Sequence, residues 1–512
     1  MENHFPETFP LGEASSPLPT IIGTIVVLAF AYIGYSSFAS AKTYPNIPLV
    51  IGKGGIEEAR QNFRTQSIKY LDAALKQVND VCQVWTDGGL KILMPTKYIN
   101  EIRNDKRLSF LEVVRNENLA HHRSFAPSYM PMRGNLVTDA IRTKLTQSLG
   151  KVTDGLSEET DFALKNLFSP SKDWVTTKPF YPIAVDFVSQ LSARVFLGDK
   201  VCRDPEWIRV SGEYTTTVFL AIQCLRKYPK FLQPIMYHLG LVPEIKALDK
   251  LEEKATKIIE KEIARQDALG DGNVESTSLK WFADVAKQKK ISEYNPVFAQ
   301  LAITIAAIHT TSMALTNVLF DLIAHPDLID ELRQEIIAVI GTDGWKKTSL
   351  SNLRLMDSVL KESQRLNPPD AFSMRRKAME DVKLSSGVVI PKGAMVVFPP
   401  RILRDPELYP NPDAYDGRRW YRFRQEPGNE TKFQYVQTTA EMHGFGHGEH
   451  ACPGRFFASN ELKIALCHML MKYDWEYADV KERPKTITQV EMIIPDPTVR
   501  LRYKSREPEV AI

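Results

Sequence analysis

The sequence predicts a mainly α-helical chain with a small β-rich region, preceded by one N-terminal transmembrane helix. Three observations carry this. The run from Leu18 to Ala41 holds no charged residue, and about 20 apolar residues in a helix cross a bilayer core of ~30 Å. Long helical stretches dominate to about residue 370, among them the apolar Leu301 to Ala324. Strand patterns are short and gather around turn residues. With 43% hydrophobic and 25% charged residues, the chain as a whole has the composition of a folded globular protein.

Along the chain, Glu2, Glu7 and Glu13 precede the uncharged run where a cleavable signal would need basic residues. Lys42, Lys53 and Arg60 follow it, so the positive-inside rule places the rest in the cytosol. Residues 1–42 are therefore expected to be a lumenal tail and single-pass anchor in contact with lipid, and 43–512 one large domain. The Asn429-Glu-Thr431 sequon then lies in the cytosol and stays unglycosylated. After the stiff Tyr44 to Pro48 connector, Phe63 to Val78 reads as a helix. Val81 to Trp85 and Leu90 to Met94 read as a hairpin about Asp87-Gly88-Gly89. A charged helix covers Leu251 to Gln266, and a helix carrying Glu362 ends at Pro368-Pro369. Val382 to Leu384 and Val388 to Pro391 form a hairpin about Ser385-Ser386-Gly387. Ile487 to Ile494 and Val499 to Tyr503, separated by Pro495-Asp496-Pro497, form a last one.

Composition narrows the function. Lys+Arg 65 against Asp+Glu 62 leaves +3, which provides no reason to expect a nucleic acid partner. Five scattered cysteines, never in a CxxC pair, argue against disulfides and structural zinc and for a reducing compartment.

The informative stretch is Phe445-Gly-His-Gly-Glu-His-Ala-Cys-Pro-Gly454, just ahead of an apolar helical segment, Arg455 to Leu470. Glycines let a backbone approach a flat ligand closely. Cys452 is delivered to a helix start, where N–H groups and the dipole are expected to lower its thiol pKa. An exposed thiolate in such a loop suits haem iron. The order Phe445, Gly446, Gly448, His450, Cys452, Gly454 resembles the haem-binding loop of the cytochrome P-450 family, with His450 where arginine is usual.

Further motifs follow in the family's order. Ala306-Ala307-Ile308-His309-Thr310-Thr311 resembles the oxygen-binding helix, with Ala307 for its glycine and His309 for its acid. Thr310 matches the threonine, and His309, expected to titrate near neutrality, would relay protons. Glu362-Ser-Gln-Arg365 resembles ExxR, and Asp416-Gly-Arg-Arg-Trp420 the arginine segment that completes its network. Register favours Arg419 there, with Arg418 as the alternative. Ile141 to Thr146 lies where a helix reaches a haem propionate; its tryptophan is absent, leaving Arg142. Arg376, or next to it Arg375, would meet a propionate too.

The resemblance implies haem b iron bound by Cys452, with Phe445, His450, Arg376 and Arg142 around the cofactor. It also implies a substrate pocket including Ile303, Ala306, Ala307, Phe372 and Met374. Electrons would come from NADPH through a separate flavoprotein reductase, docked on Arg418, Arg422, Arg424, Arg455 and Lys463. Within the family, the wording of both motifs is similar to fungal terpenoid enzymes, ent-kaurene oxidases and indole-diterpene oxygenases among them. The expectation is an endoplasmic-reticulum monooxygenase acting on a small apolar substrate. The alternatives are a haem-thiolate isomerase or dehydratase needing no reductase, and a non-catalytic haem binder.

Overall fold

Side-chain caps set the starts of two central helices. The Asn295 side chain accepts from the Phe298 N–H at 3.0 Å with Pro296 in the first turn. Asp204 accepts from the Glu206 N–H at 2.8 Å ahead of Pro205. Each such cap contributes about 1 kcal/mol and fixes the first turn. The computed structural model describes residues 23–24, 27–29, 31–32, 43–270 and 276–512. Its main helices are α1 (Gly55–Val78), α2 (Leu111–Glu117), α3 (Thr146–Leu167), α4 (Phe180–Phe196), α5 (Pro205–Arg226) and α6 (Pro243–Leu269). They continue with α7 (Ser278–Lys289), α8 (Pro296–Ile323), α9 (Pro326–Asp343), α10 (Arg354–Leu366), α11 (Arg419–Gln425) and α12 (Arg455–Lys472).

The strands are β1 (Leu49–Val50), β2 (Cys82–Thr86), β3 (Gly89–Leu93), β4 (Leu108–Ser109), β5 (Val175–Pro179), β6 (Ser373–Ala378) and β7 (Val382–Lys383). After them come β8 (Val389–Ile390), β9 (Met395–Phe398), β10 (Tyr473–Tyr477), β11 (Thr486–Gln489), β12 (Met492–Pro495) and β13 (Arg500–Ser505). The larger sheet runs β1-β2-β3-β9-β6-β4, and its β2–β3 hairpin pairs Trp85 with Leu90 about the anticipated turn. The β7–β8 hairpin also forms as expected, with Val382 opposite Ile390.

The last hairpin is built differently. Residues 486–495 fold back on themselves, β11 against β12, turning at Val490 with φ 60°. Strand β13 instead joins β10 and β5 in a separate sheet. Two features explain this. Pro495 and Pro497 carry no N–H to extend a ladder. Leu501 and Tyr503 are buried in the main core, where Tyr503 meets Phe168 edge-on at 5.0 Å.

Helix α8 crosses the middle of this core. It is long and apolar enough to span a membrane, but most of its length is buried among other helices. Most of the expected anchor, 18–41, lies outside the described residues, and those described within it are helical. The chain divides into two units, Met1–Pro45 and Asn46–Ile512.

Candidate active site

The cysteine loop is closed by its own backbone. The Cys452 N–H donates to the Phe445 carbonyl at 2.8 Å, and the Gly446 N–H to His443 at 2.8 Å. Gly448 has φ +80°, and a Cβ there would stand 2.8 Å from Arg103 Cβ, so a side chain is excluded twice over. The ring of Phe445 packs edge-on against Tyr435 at 5.1 Å. Arg455 opens α12 and braces the loop from beneath, donating to the Cys452 carbonyl at 2.8 Å and to Val436 at 3.1 Å. The expected lowering of the Cys452 thiol pKa is reversed: burial pushes it up, against the Gly454 N–H and the charge and N–H of Arg455. A bound cation supplies the charge that a thiolate needs in such a place.

Helix α8, which packs on α12, presents small residues on one stripe. Ala306 and Thr310, four apart, are exposed although the helix is a core element, and Ala302 and Ala314 on the same face are half-buried. The Thr310 hydroxyl donates to the Ala306 carbonyl at 2.8 Å, which leaves its lone pairs directed to the open side. His309 lies elsewhere. Its Nδ1 bonds the Tyr181 hydroxyl of α4 at 3.1 Å and its Nε2 the Thr216 hydroxyl of α5 at 3.3 Å. Burial lowers its pKa to about 4, so it is neutral at pH 7 and does not titrate near neutrality. Two other expected pocket residues are core residues: Ile303 packs inside the main cluster, and Phe372 stacks on Phe63 at 5.3 Å. Ala307 is half-buried against that core. Met374, with φ 49°, turns its sulfur to the His447 N–H of the cysteine loop at 3.0 Å.

Basic groups gather beside that loop. Arg376 is buried and donates one nitrogen to the Arg375 carbonyl at 2.8 Å, while its Nη2 has no partner among the described residues. Burial pushes its pKa down to about 10, with Glu449 opposing. An orphaned guanidinium nitrogen of this kind is costly unless an anion meets it. His450 is exposed, and Arg376 and Arg142 both act on it electrostatically after burial, lowering its pKa. Arg142 donates to the Glu449 carbonyl at 2.6 Å. Arg375 is different, because its guanidinium is spent on Glu117, Asp370 and Glu491. A haem would fit this donor set: Cys452 could hold its iron and the orphaned Arg376 nitrogen one of its carboxylates.

Behind the loop, Glu362 and Arg365 are both fully buried and paired in two hydrogen bonds, 2.7 and 2.9 Å. Arg419 joins at 3.1 Å, and Trp420, the last residue of the same segment, donates its indole N–H at 3.1 Å. Arg418 points outward to Asp327 and Glu331. The five residues of the expected basic docking patch are all engaged with other groups of the chain, Arg418 and Arg422 at the surface and the others inside. Arg424 and Lys463 are buried on Asp357, Arg422 pairs with Asp416, and Arg455 braces the loop. Among the described residues, exposed cations with no acidic partner include Lys151, Lys346 and Lys347, with Lys347 packed beside Gly150.

Fold and site together define a helical haem-thiolate protein. Comparison with known proteins agrees: residues 134–502 match the cytochrome P450 family. The chain is 37% identical to the cytochrome P450 monooxygenase ntnM of Nectria sp, over 90% of this chain and 89% of that one. It is 36% identical to adrA of Penicillium rubens over 92% and 94% of the two chains. A further 37% match, to cytochrome P450 monooxygenase 1 of Gibberella fujikuroi, covers 84% of this chain and 98% of that one. The retinoic-acid-bound cyanobacterial CYP120A1 shares the fold, with TM-score 0.66 at 18% identity over 91% of this chain and 100% of that one. The chain belongs to the cytochrome P450 family and is a haem monooxygenase, an oxidoreductase that incorporates molecular oxygen.

Proposed function

We propose that this monooxygenase oxidises a bulky apolar terpenoid (a diterpene, indole-diterpene or meroterpenoid) in fungal secondary metabolism. It would do so from the endoplasmic-reticulum membrane, with electrons from NADPH through a separate flavoprotein reductase. One observation carries the substrate class: the wall beside Thr310 is made of Ala302, Ala306 and Ala314, small and apolar over three helical turns. Such a surface admits a broad hydrocarbon skeleton and offers no charged partner to select an acid or amine. The resemblance of both motifs to fungal terpenoid enzymes supports the same class.

When bound, haem iron supplies oxygen activation. The chain's part is positional. Cys452 would hold the iron through its sulfur, in a loop fixed by its own N–H bond to Phe445 and by Arg455 on its carbonyl. Arg376, His450 and Arg142 would meet the propionates, and Glu362, Arg365 and Arg419 hold the loop's support in place. The Thr310 hydroxyl orders a water on the open face and passes a proton from it. His309 takes no charge in this sequence, because burial keeps it neutral. The reductase docks through Lys151, Lys346 and Lys347.

Microsomes carrying this chain and a reductase, supplied with NADPH, are the test of substrate class. Diterpene or indole-diterpene candidates should be converted, and steroids and fatty acids should not. Conversion of the fatty acids alone would contradict the terpenoid reading. Replacing Lys151 and Lys347 with glutamate should weaken reductase association roughly tenfold at low salt, with the effect fading at high salt.

A further inference from the structure

Five charged side chains from separate parts of the chain gather around Arg375. Its guanidinium pairs with Glu117 at 2.9 Å, with Glu491 at 3.1 Å and with Asp370. Lys91 of β3 closes on the other oxygen of Glu117. Arg226 reaches Glu491 at 3.6 Å and donates to the Glu117 carbonyl. Three cationic side chains thus face three carboxyl groups. The side chains of Lys91 and Glu117 are nearly buried, and burial opposes the Glu117 charge, but Lys91 and Arg375 hold its pKa at about 2. Asp370 goes the other way, pushed up to about 7 by burial against the pull of Arg375.

The positions of these residues matter more than their number. Glu117 ends α2, Arg226 ends α5 and Glu491 sits at the tip of the β11–β12 hairpin. Helix α5 and strand β12 both pack on α8, which carries the open stripe, and α2 packs on β6. Arg375 itself stands on β6 between Met374, bonded to the cysteine loop, and Arg376, the unsatisfied cation beside it. Arg375 thus ties the end of α2 and the β11–β12 tip directly, and the end of α5 through Glu491, to the strand that borders the cofactor site.

We propose that Arg375 and its partners form an ionic latch that holds α2, the end of α5 and the β11–β12 tip closed over the substrate space, and that opening it limits ligand entry. The proposal rests on the haem site facing α8. Ion pairs suit a latch because, held in water-poor surroundings, they are strong when all are present. Losing one member leaves its partner charges uncompensated. Arg226 and Glu491, with side chains 24% and 20% exposed, form the pair that links the end of α5 to the β11–β12 tip, so the latch opens there.

Stopped-flow binding of 1-phenylimidazole to the ferric holoenzyme tests this without knowledge of the natural substrate. Arg226→Gln and Glu491→Gln should each raise both association and dissociation rates roughly three- to tenfold, with affinity changed less than about twofold. Arg209→Gln, which breaks the exposed Arg209–Glu213 pair on the same helix, should leave both rates alone. The swap Arg226→Glu with Glu491→Arg should bring the rates back toward the parent. Rates within twofold of the parent in both single variants would overturn the latch, as would altered affinity with an unchanged association rate.

Discussion

At Cys452 two demands oppose each other. The loop must bury a sulfur against a flat ligand, and burial alone drives the thiol toward its neutral form. The Gly454 N–H and Arg455 soften that cost, and a bound iron removes it. Cys452→Ser should therefore abolish the thiolate-type carbon monoxide spectrum together with turnover; a variant that kept both would refute the ligand assignment. Thr310→Ala should lower product formed per NADPH by roughly tenfold or more, because the remaining alanine stripe cannot order a proton-donating water. The neighbouring His309→Ala should leave that ratio within about twofold and cost about 2 kcal/mol of stability, since its two neutral hydrogen bonds pin α4 and α5 to α8. Thermal melts and coupling measurements on the two variants separate these roles.

Single elements show what the sequence makes legible and what it hides. The cysteine loop, the ExxR helix and the β2–β3 turn are local patterns, and each is readable from residue order and spacing. The destination of Arg419 is readable as a register argument, and the structure places it on Glu362. Side-chain direction is not readable. On α8 one step in sequence turns the chain by about 100°, so His309 and Thr310 face different neighbours although they adjoin. The pairing of β13 is hidden for a related reason: its alternation is visible, but its partners β5 and β10 lie far away in the chain. The same holds for Asp357, invisible as a motif, which gathers Lys463 at 2.7 Å, Arg424 at 3.4 Å and the Tyr435 N–H at 2.7 Å. Asp357→Asn leaves two buried cations short of an anion and should cost about 3–5 kcal/mol, as should Glu362→Gln. Loss of haem-loaded protein and a lower melting temperature would report both.

Across the whole molecule, buried histidines set an acid limit. Burial lowers His122 and His309 to about 4 and His468 to about 3, from an ordinary value of 6.5. The unfolded chain binds these protons below about pH 6.5 while the folded chain refuses them, so stability is fully present above that pH. It should fall progressively between about pH 6.5 and pH 3, and His468→Gln should flatten the lower part of that slope. Melting temperature against pH checks the sign. The same fold that excludes protons from these sites gathers cations beside the cysteine loop and keeps an alanine wall beside Thr310, the combination that an oxygen-inserting haem enzyme requires.

The most direct measurement is turnover of the holoenzyme with reductase under isotopically labelled oxygen gas, using a terpenoid that it converts. One labelled oxygen atom should enter the product per hydroxylation, only with NADPH present, and none should enter with the Cys452→Ser variant. Product formed without NADPH, or carrying no label, would contradict the monooxygenase chemistry.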